Sequence, residues 1–253
     1  MQVRPGIELA SLSDIGCQRQ ENEDSYGYWE PESEEQFRQR GRLVIIADGM
    51  GGYEGGREAS HLAVETVCQV YSDSAGQEPQ PALLAALHEA HARIRQYALE
   101  HPNLRGMGTT CTAVSLTGGQ LHFAHVGDTR LYLVRGEQIS RLTHDHSYVG
   151  RLVESGLLNP EEAQHHPQRH ILTAALGSGD DVTPDSPTAP VALHPGDILL
   201  LCTDGLWDLL RDEELMEILS RYPPTEASQQ LVQMAKSRGG PDNITLQILR
   251  IKS

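Results

Sequence analysis

The sequence predicts an α+β fold in which stacked antiparallel sheets are covered by helices. Strand patterns come in runs, helical patterns come in pairs, and the 253 residues show no regular βαβ alternation. Residues 7–15, 26–29 and 42–47 read as strands. Ala59, Leu62, Ala63, Val67 and Val70 then recur at helical spacing, as do Leu83, Leu87, Ala90, Ile94 and Tyr97. The polar stretch from Ser72 to Pro81 joins these two helices. A meander follows, in strands 110–116, 120–126, 130–134 and 138–142. Gly118-Gly119, Gly127-Asp128 and Arg135-Gly136 punctuate it at hairpin spacing. Residues 144–179 hold five of the 12 histidines and little strand pattern, which predicts short helices in an inserted subdomain. An apolar strand at 198–202, helices near 212–220 and 225–237 and a last strand at 243–251 complete the chain.

Composition narrows the function classes. Hydrophobic residues at 38% and charged residues at 22% describe an ordinary globular chain, long enough for one large core or two modest ones. A formal charge of −15 disfavours nucleic acid and anionic membranes as partners. No run approaches the roughly 20 apolar residues of a membrane span, and Met1 to Ala10 lacks a signal-peptide core. Cys17, Cys68, Cys111 and Cys202 form no C-x-x-C pair. They read as reduced, buried thiols, which points to a cytoplasmic address.

Three aspartates carry the chemistry. The run 43–47 leads into Asp48-Gly49-Met50-Gly51-Gly52, the run 198–203 leads into Asp204-Gly205, and Asp242-Asn243 opens the final strand. A carboxylate at a strand end stands on rigid backbone, and a following glycine lets the chain turn and a ligand approach. Carboxylates gathered from distant segments ionise together only with cations between them, so the pattern reads as an oxygen-ligand metal site. His144-Asp145-His146 and His165-His166 have no cysteine near them and read as surface or network histidines rather than zinc ligands.

Several further motifs carry a resemblance. Ser13-Asp14-Ile15-Gly16, Arg19 and Asn22-Glu23-Asp24-Ser25 resemble the first motif of the metal-dependent protein phosphatases, the protein phosphatase 2C family. Asp48 to Gly52, Gly108-Thr109-Thr110, Val126 to Arg130, Leu142 to Ser147, Leu172 to Gly177, Thr203 to Asp208 and Asp242 to Thr245 match later motifs in order. The likeness runs from Glu8 to Ile251. It implies a four-layer αββα sandwich over residues 1–253 as one catalytic domain, with a flap at about 144–179. It also implies a serine/threonine phosphoprotein phosphatase using two Mn²⁺ or Mg²⁺ ions, with the third, weaker metal site of bacterial-type members. In the family, hydroxide bridging the two metals attacks phosphorus directly.

Carried over by position, Asp48 bridges both metals, the Gly49 carbonyl binds one, and Asp204 and Asp242 complete the other site. Asp128 joins Asp204 in a third site, and Glu23 and Asp24 act directly or through water. Arg19 clamps the phosphate, its planar fork matching two oxygens. Met50 stands where animal-type members have a histidine that protonates the leaving group, so that proton must come from elsewhere; His166 is the flap candidate. Phosphoserine and phosphothreonine proteins, a Ser/Thr kinase among them, are the partners this implies.

Overall fold

The computed structural model describes residues 4–51, 53–74 and 76–252. Its strands are β1 (Ile7–Asp14), β2 (Asp24–Trp29), β3 (Arg42–Met50), β4 (Gly108–Thr109), β5 (Cys111–Thr117), β6 (Gln120–Val126), β7 (Arg130–Arg135), β8 (Gln138–Arg141), β9 (Val191–Ala192), β10 (Ile198–Cys202) and β11 (Ile244–Ile251). Its helices are α1 (Glu34–Arg40), α2 (Tyr53–Asp73), α3 (Pro79–Glu100), α4 (Tyr148–Glu154), α5 (Pro160–Gln164), α6 (Asp204–Trp207), α7 (Asp212–Arg221) and α8 (Pro224–Ser237). One sheet has the order β1-β11-β10-β7-β8. The other has the order β2-β3-β5-β6-β9, with β4 added to the end of β3, and every pairing is antiparallel.

The two apolar runs are central strands buried on both faces, which is why they lack polar alternation. In β3, Leu43, Ile45 and Ala47 face α2 and α3, in a core with Val67, Leu83 and Leu87. Val44 and Ile46 point the other way, meeting Leu199, Leu201 and Leu131 between the sheets. In β10 the alternate residues Leu200 and Cys202 pack with Leu215, Leu219 and Leu231 of α7 and α8. Period two therefore divides each run between a sheet–sheet core and a sheet–helix core, giving four layers, helix–sheet–sheet–helix.

Helix α1 was not legible in the pattern. It is short and polar, and Ser33 caps it by accepting from Gln36 N at 3.4 Å. Its Phe37 lies between the Arg4 and Arg42 guanidiniums, each 4.8 Å from the ring centroid. Cys111 and Cys202 are buried as expected, but Cys17 is exposed because it sits on the open β1–β2 connection; all four cysteines are free thiols.

Candidate functional site

Register brings the distant acids to one end of the sandwich. In the β2–β3 pair Asp24 lies opposite Asp48. Asp14 of β1 lies opposite Ile244, which puts Asp242 beside the β1–β2 loop, and β10 runs out toward the same end with Thr203 and Asp204 after it. Strand β3 continues through Asp48 to Met50 rather than ending at Ala47, since Gly49 and Met50 pair with β4.

Threonines and an asparagine hold the backbone. Asp48 N donates to Thr110 Oγ1 at 2.9 Å, and Asp48 O accepts from Thr109 Oγ1 at 2.8 Å and from Thr110 N at 2.9 Å. The glycines that follow Asp48 and Asp204 serve close approach: a Cβ on Gly49 would stand 2.1 Å from Gly56 O, and one on Gly205 2.0 Å from Asn243 O. Asn243, 3% exposed, accepts from Glu23 N at 2.9 Å and donates to the carbonyls of Ile15 and Glu21, each at 3.0 Å. It thus knots the β1–β2 loop to the start of β11. Asn243→Ala is expected to cost about 2–4 kcal/mol, because it strands buried backbone groups. Urea unfolding checks this, and a midpoint like that of the wild type would show the loop stands without the knot.

The carboxylates line a cavity of about 840 Å³ with Arg19, Glu23, Asp48, Gly49, Asp128, Asp204, Asp208 and Asp242 in its wall. Asp24 lies behind this wall, where its Oδ2 accepts from Thr203 Oγ1 at 3.0 Å. Burial, and then the charges of Asp24, Asp204, Asp128 and Asp242, hold the Asp48 carboxyl well above the usual range. Burial, together with Asp204 and Asp242, pushes Asp24 up to about 7. Asp128 is raised by burial and by Asp204 and Asp145, and Glu23 is raised chiefly by burial. Arg19 lies across the mouth, with Nη2 2.7 Å from Asp242 Oδ2 and Nη1 3.5 Å from Glu23 Oε2.

This donor set fits hard divalent cations. Glu23 Oε1, Asp24 Oδ1 and Asp204 Oδ1 are buried oxygens without a hydrogen-bond partner, an expensive condition that a cation relieves. Among the described residues no three His, Cys, Asp or Glu side chains close around a single point as a ready-made cage. Mg²⁺ and Mn²⁺ do not need one, since such ions take few carboxylates and keep much of their water.

The flap contributes a histidine that the sequence reading misplaced. His166 is not in the cavity wall: its Nδ1 accepts from Gln168 N at 3.2 Å and its ring lies 6.1 Å from that of Tyr148. His170 is in the wall instead, with Nδ1 3.7 Å from Asp204 Oδ2, and that carboxylate raises the imidazole pKa. Its neighbour Arg169 donates twice to Asp208, at 3.2 Å each. His146 belongs to a network, as expected, with Nε2 3.1 Å from Asp185.

Residues 18–237 match the family model described as protein phosphatase 2C. The chain belongs to the protein phosphatase 2C family. It is 36% identical over 248 residues to protein phosphatase PhpP of Streptococcus pneumoniae, covering 96% of this chain and 97% of that one. The crystal structure of the serine/threonine phosphatase Stp1 from Staphylococcus aureus superposes with a TM-score of 0.89 at 30% identity, over 100% of this chain and 98% of that one. The catalytic domain of the serine threonine protein phosphatase PstP in complex with two manganese ions gives a TM-score of 0.84 at 33% identity, covering 98% and 99%. Four layers of helix, sheet, sheet and helix are thus the family fold in this chain.

Proposed function

We infer that this chain is a metal-dependent protein-serine/threonine phosphatase, with residues 1–253 acting as one catalytic domain and 144–179 as its flap. The observation that carries the reading is the set of converging carboxylates with unpaired buried oxygens in a cavity whose mouth is held by an arginine. Asp48, the Gly49 carbonyl, Asp204 and Asp242 would hold the cation pair, and Asp128 with Asp204 would hold a third. Glu23 faces the cations directly or through water, while Asp24 supports them from behind. A pair of Mn²⁺ or Mg²⁺ ions supplies water acidified toward neutral pH and positive charge for the phosphate.

The remaining work falls to the chain. Arg19 pairs with Asp242 and Glu23, two of the carboxylates that cations would engage. Released from them, its guanidinium is free to grip two phosphate oxygens. Met50 lines the cavity and has no proton to give the departing serine or threonine oxygen; His170 is the flap side chain in the wall that has one.

Phosphoserine and phosphothreonine proteins are the proposed substrates, a Ser/Thr kinase among them, and the proposed address is cytoplasmic. Among the described residues no helix is long and apolar enough to cross a membrane. The test is phosphate release from a phosphothreonine peptide in EDTA, Mg²⁺ and Mn²⁺. Turnover should require a divalent ion and cease in EDTA. Folded protein inactive with every metal would favour a noncatalytic binding module built on this fold.

A further inference from the structure

A single turn of helix joins two parts of the cavity. Asp204 opens α6 and Trp207 closes it, and the Trp207 indole Nε1–H donates to the main-chain carbonyl of Asp128 at 3.0 Å. The Arg130 guanidinium lies over that indole, 3.5 Å from the ring centroid. Its donors are directed away from Asp128: Nε and Nη2 reach the two Asp145 oxygens at 3.1 and 2.7 Å, and Nη1 reaches the Tyr132 hydroxyl at 3.1 Å. Asp145 is also held by Arg141 Nη1 at 3.0 Å. Its neighbour His146, at the root of the flap, grips Gly127 from two sides. His146 N donates to Gly127 O at 2.7 Å, and His146 Nδ1 accepts from Gly127 N at 3.2 Å.

The Gly127–Asp128 turn is therefore fixed at one residue by the flap root and at the next by Trp207. The turn needs such fixing, because Asp128 and Asp204 are carboxylates packed into the wall of one cavity, where like charges repel. An unbraced turn would relax away from Asp204 and leave a cation to pull it back.

We propose that Trp207 is a positioning residue for the Asp128–Asp204 pair, its N–H fixing the Asp128 backbone to α6 while the Arg130 stack holds the indole in place. The brace sets how tightly a divalent cation binds between those two carboxylates and ties that affinity to the flap root. This rests on the metal-dependent reading above. Supporting groups around metal ligands typically govern affinity by about 10–100-fold, and nothing but Trp207 links α6 to the Asp128 carbonyl in the hydrogen bonds described.

The experiment is calorimetric titration of the metal-free 253-residue chain with Mn²⁺, without substrate, for wild type, Trp207→Phe and Asp128→Asn. Phenylalanine keeps an aromatic face beneath Arg130 and removes the N–H donor with part of the indole's bulk. Trp207→Phe should weaken the Mn²⁺ step that Asp128→Asn abolishes by about tenfold or more. The other steps should match the wild type, and thermal unfolding in EDTA should fall by no more than the few degrees that loss of one hydrogen bond and part of a ring implies. An unchanged isotherm overturns the inference. So does equal weakening of every step, because Trp207 would then be ordinary packing. If Trp207→Phe does not fold, Trp207→Tyr, which keeps an aromatic ring and lacks the indole N–H, takes its place with the same two criteria. Wild type that binds no Mn²⁺ at all would overturn the metal-dependent reading itself, and the brace with it.

Discussion

Asp48→Asn should abolish turnover and at the same time make the metal-free protein harder to unfold. The amide keeps the shape of the carboxyl, so the backbone bonds from Thr109 and Thr110 to residue 48 survive. It removes the charge that burial and Asp24, Asp204, Asp128 and Asp242 all disfavour. Taking one charge from that cluster is expected to add about 1–3 kcal/mol in EDTA, or roughly 3–8 °C for a chain of this size. The same change removes a carboxylate from the set that would hold the proposed cation pair, and turnover in saturating Mn²⁺ is expected to fall at least about a thousandfold. Stability and activity then move in opposite directions at one residue, as expected where an active site is held under electrostatic strain. Scanning calorimetry in EDTA, paired with peptide turnover in Mn²⁺, checks both halves. A melting temperature at or below that of the wild type would mean that the Asp48 carboxylate is supported by its surroundings rather than strained by its neighbours.

The parts of this architecture legible in the sequence are those where burial imposes a period. Leu43 to Ala47 and Ile198 to Cys202 could be read as central strands because both of their faces are covered. The α2 and α3 stripes were legible because one helical face enters a core. Helix α1 was not, since its only large apolar residue packs between two arginines instead of in a core. Nor was β9, two residues long and defined by its pairing with Gln120 and Leu121.

The site divides in the same way. Asp48, Asp204 and Asp242 follow or precede strongly patterned strands, so their convergence could be expected and Asp24↔Asp48 register delivers part of it. Glu23 and Asp24 could not be separated by sequence. Adjacent residues entering a strand point to opposite sides, and only the fold decides that Glu23 faces the cavity and Asp24 faces Thr203. His166 and His170 lie in the irregular part of the flap, where no period fixes orientation. Asn243 and Trp207 were visible only as motif letters beside aspartates; their roles come from bonds to Glu23 and Asp128, residues more than 70 positions away.

The second large effect is a metal-dependent reversal of the pH profile of stability. In the metal-free protein Asp24 is pushed up to about 7, and Asp48 and Asp128 are held well above their ordinary values near 3.8. The unfolded chain gives up these protons near pH 4, while the folded chain keeps the Asp24 proton to about pH 7 and holds those of Asp48 and Asp128 well past the ordinary carboxylate range. Between those limits the folded state binds more protons, so stability falls as pH rises through that window. Melting temperature in EDTA should therefore drop by about 5–10 °C between pH 5.5 and pH 8 as the cluster is forced to ionise. Mn²⁺ held by the cluster as proposed would bind its ionised form and compete with protons for the same oxygens, so its stabilisation should grow over the same interval. The melting-temperature gain from saturating Mn²⁺ should be small at pH 5.5 and largest at pH 8. A gain independent of pH would show that the cation binds outside the carboxylate cluster, and a metal-free profile that rises with pH would show that the cluster is paired rather than strained. Opposite slopes with and without the ion would tie the electrostatic cost of gathering these acids to the binding energy that holds the metal.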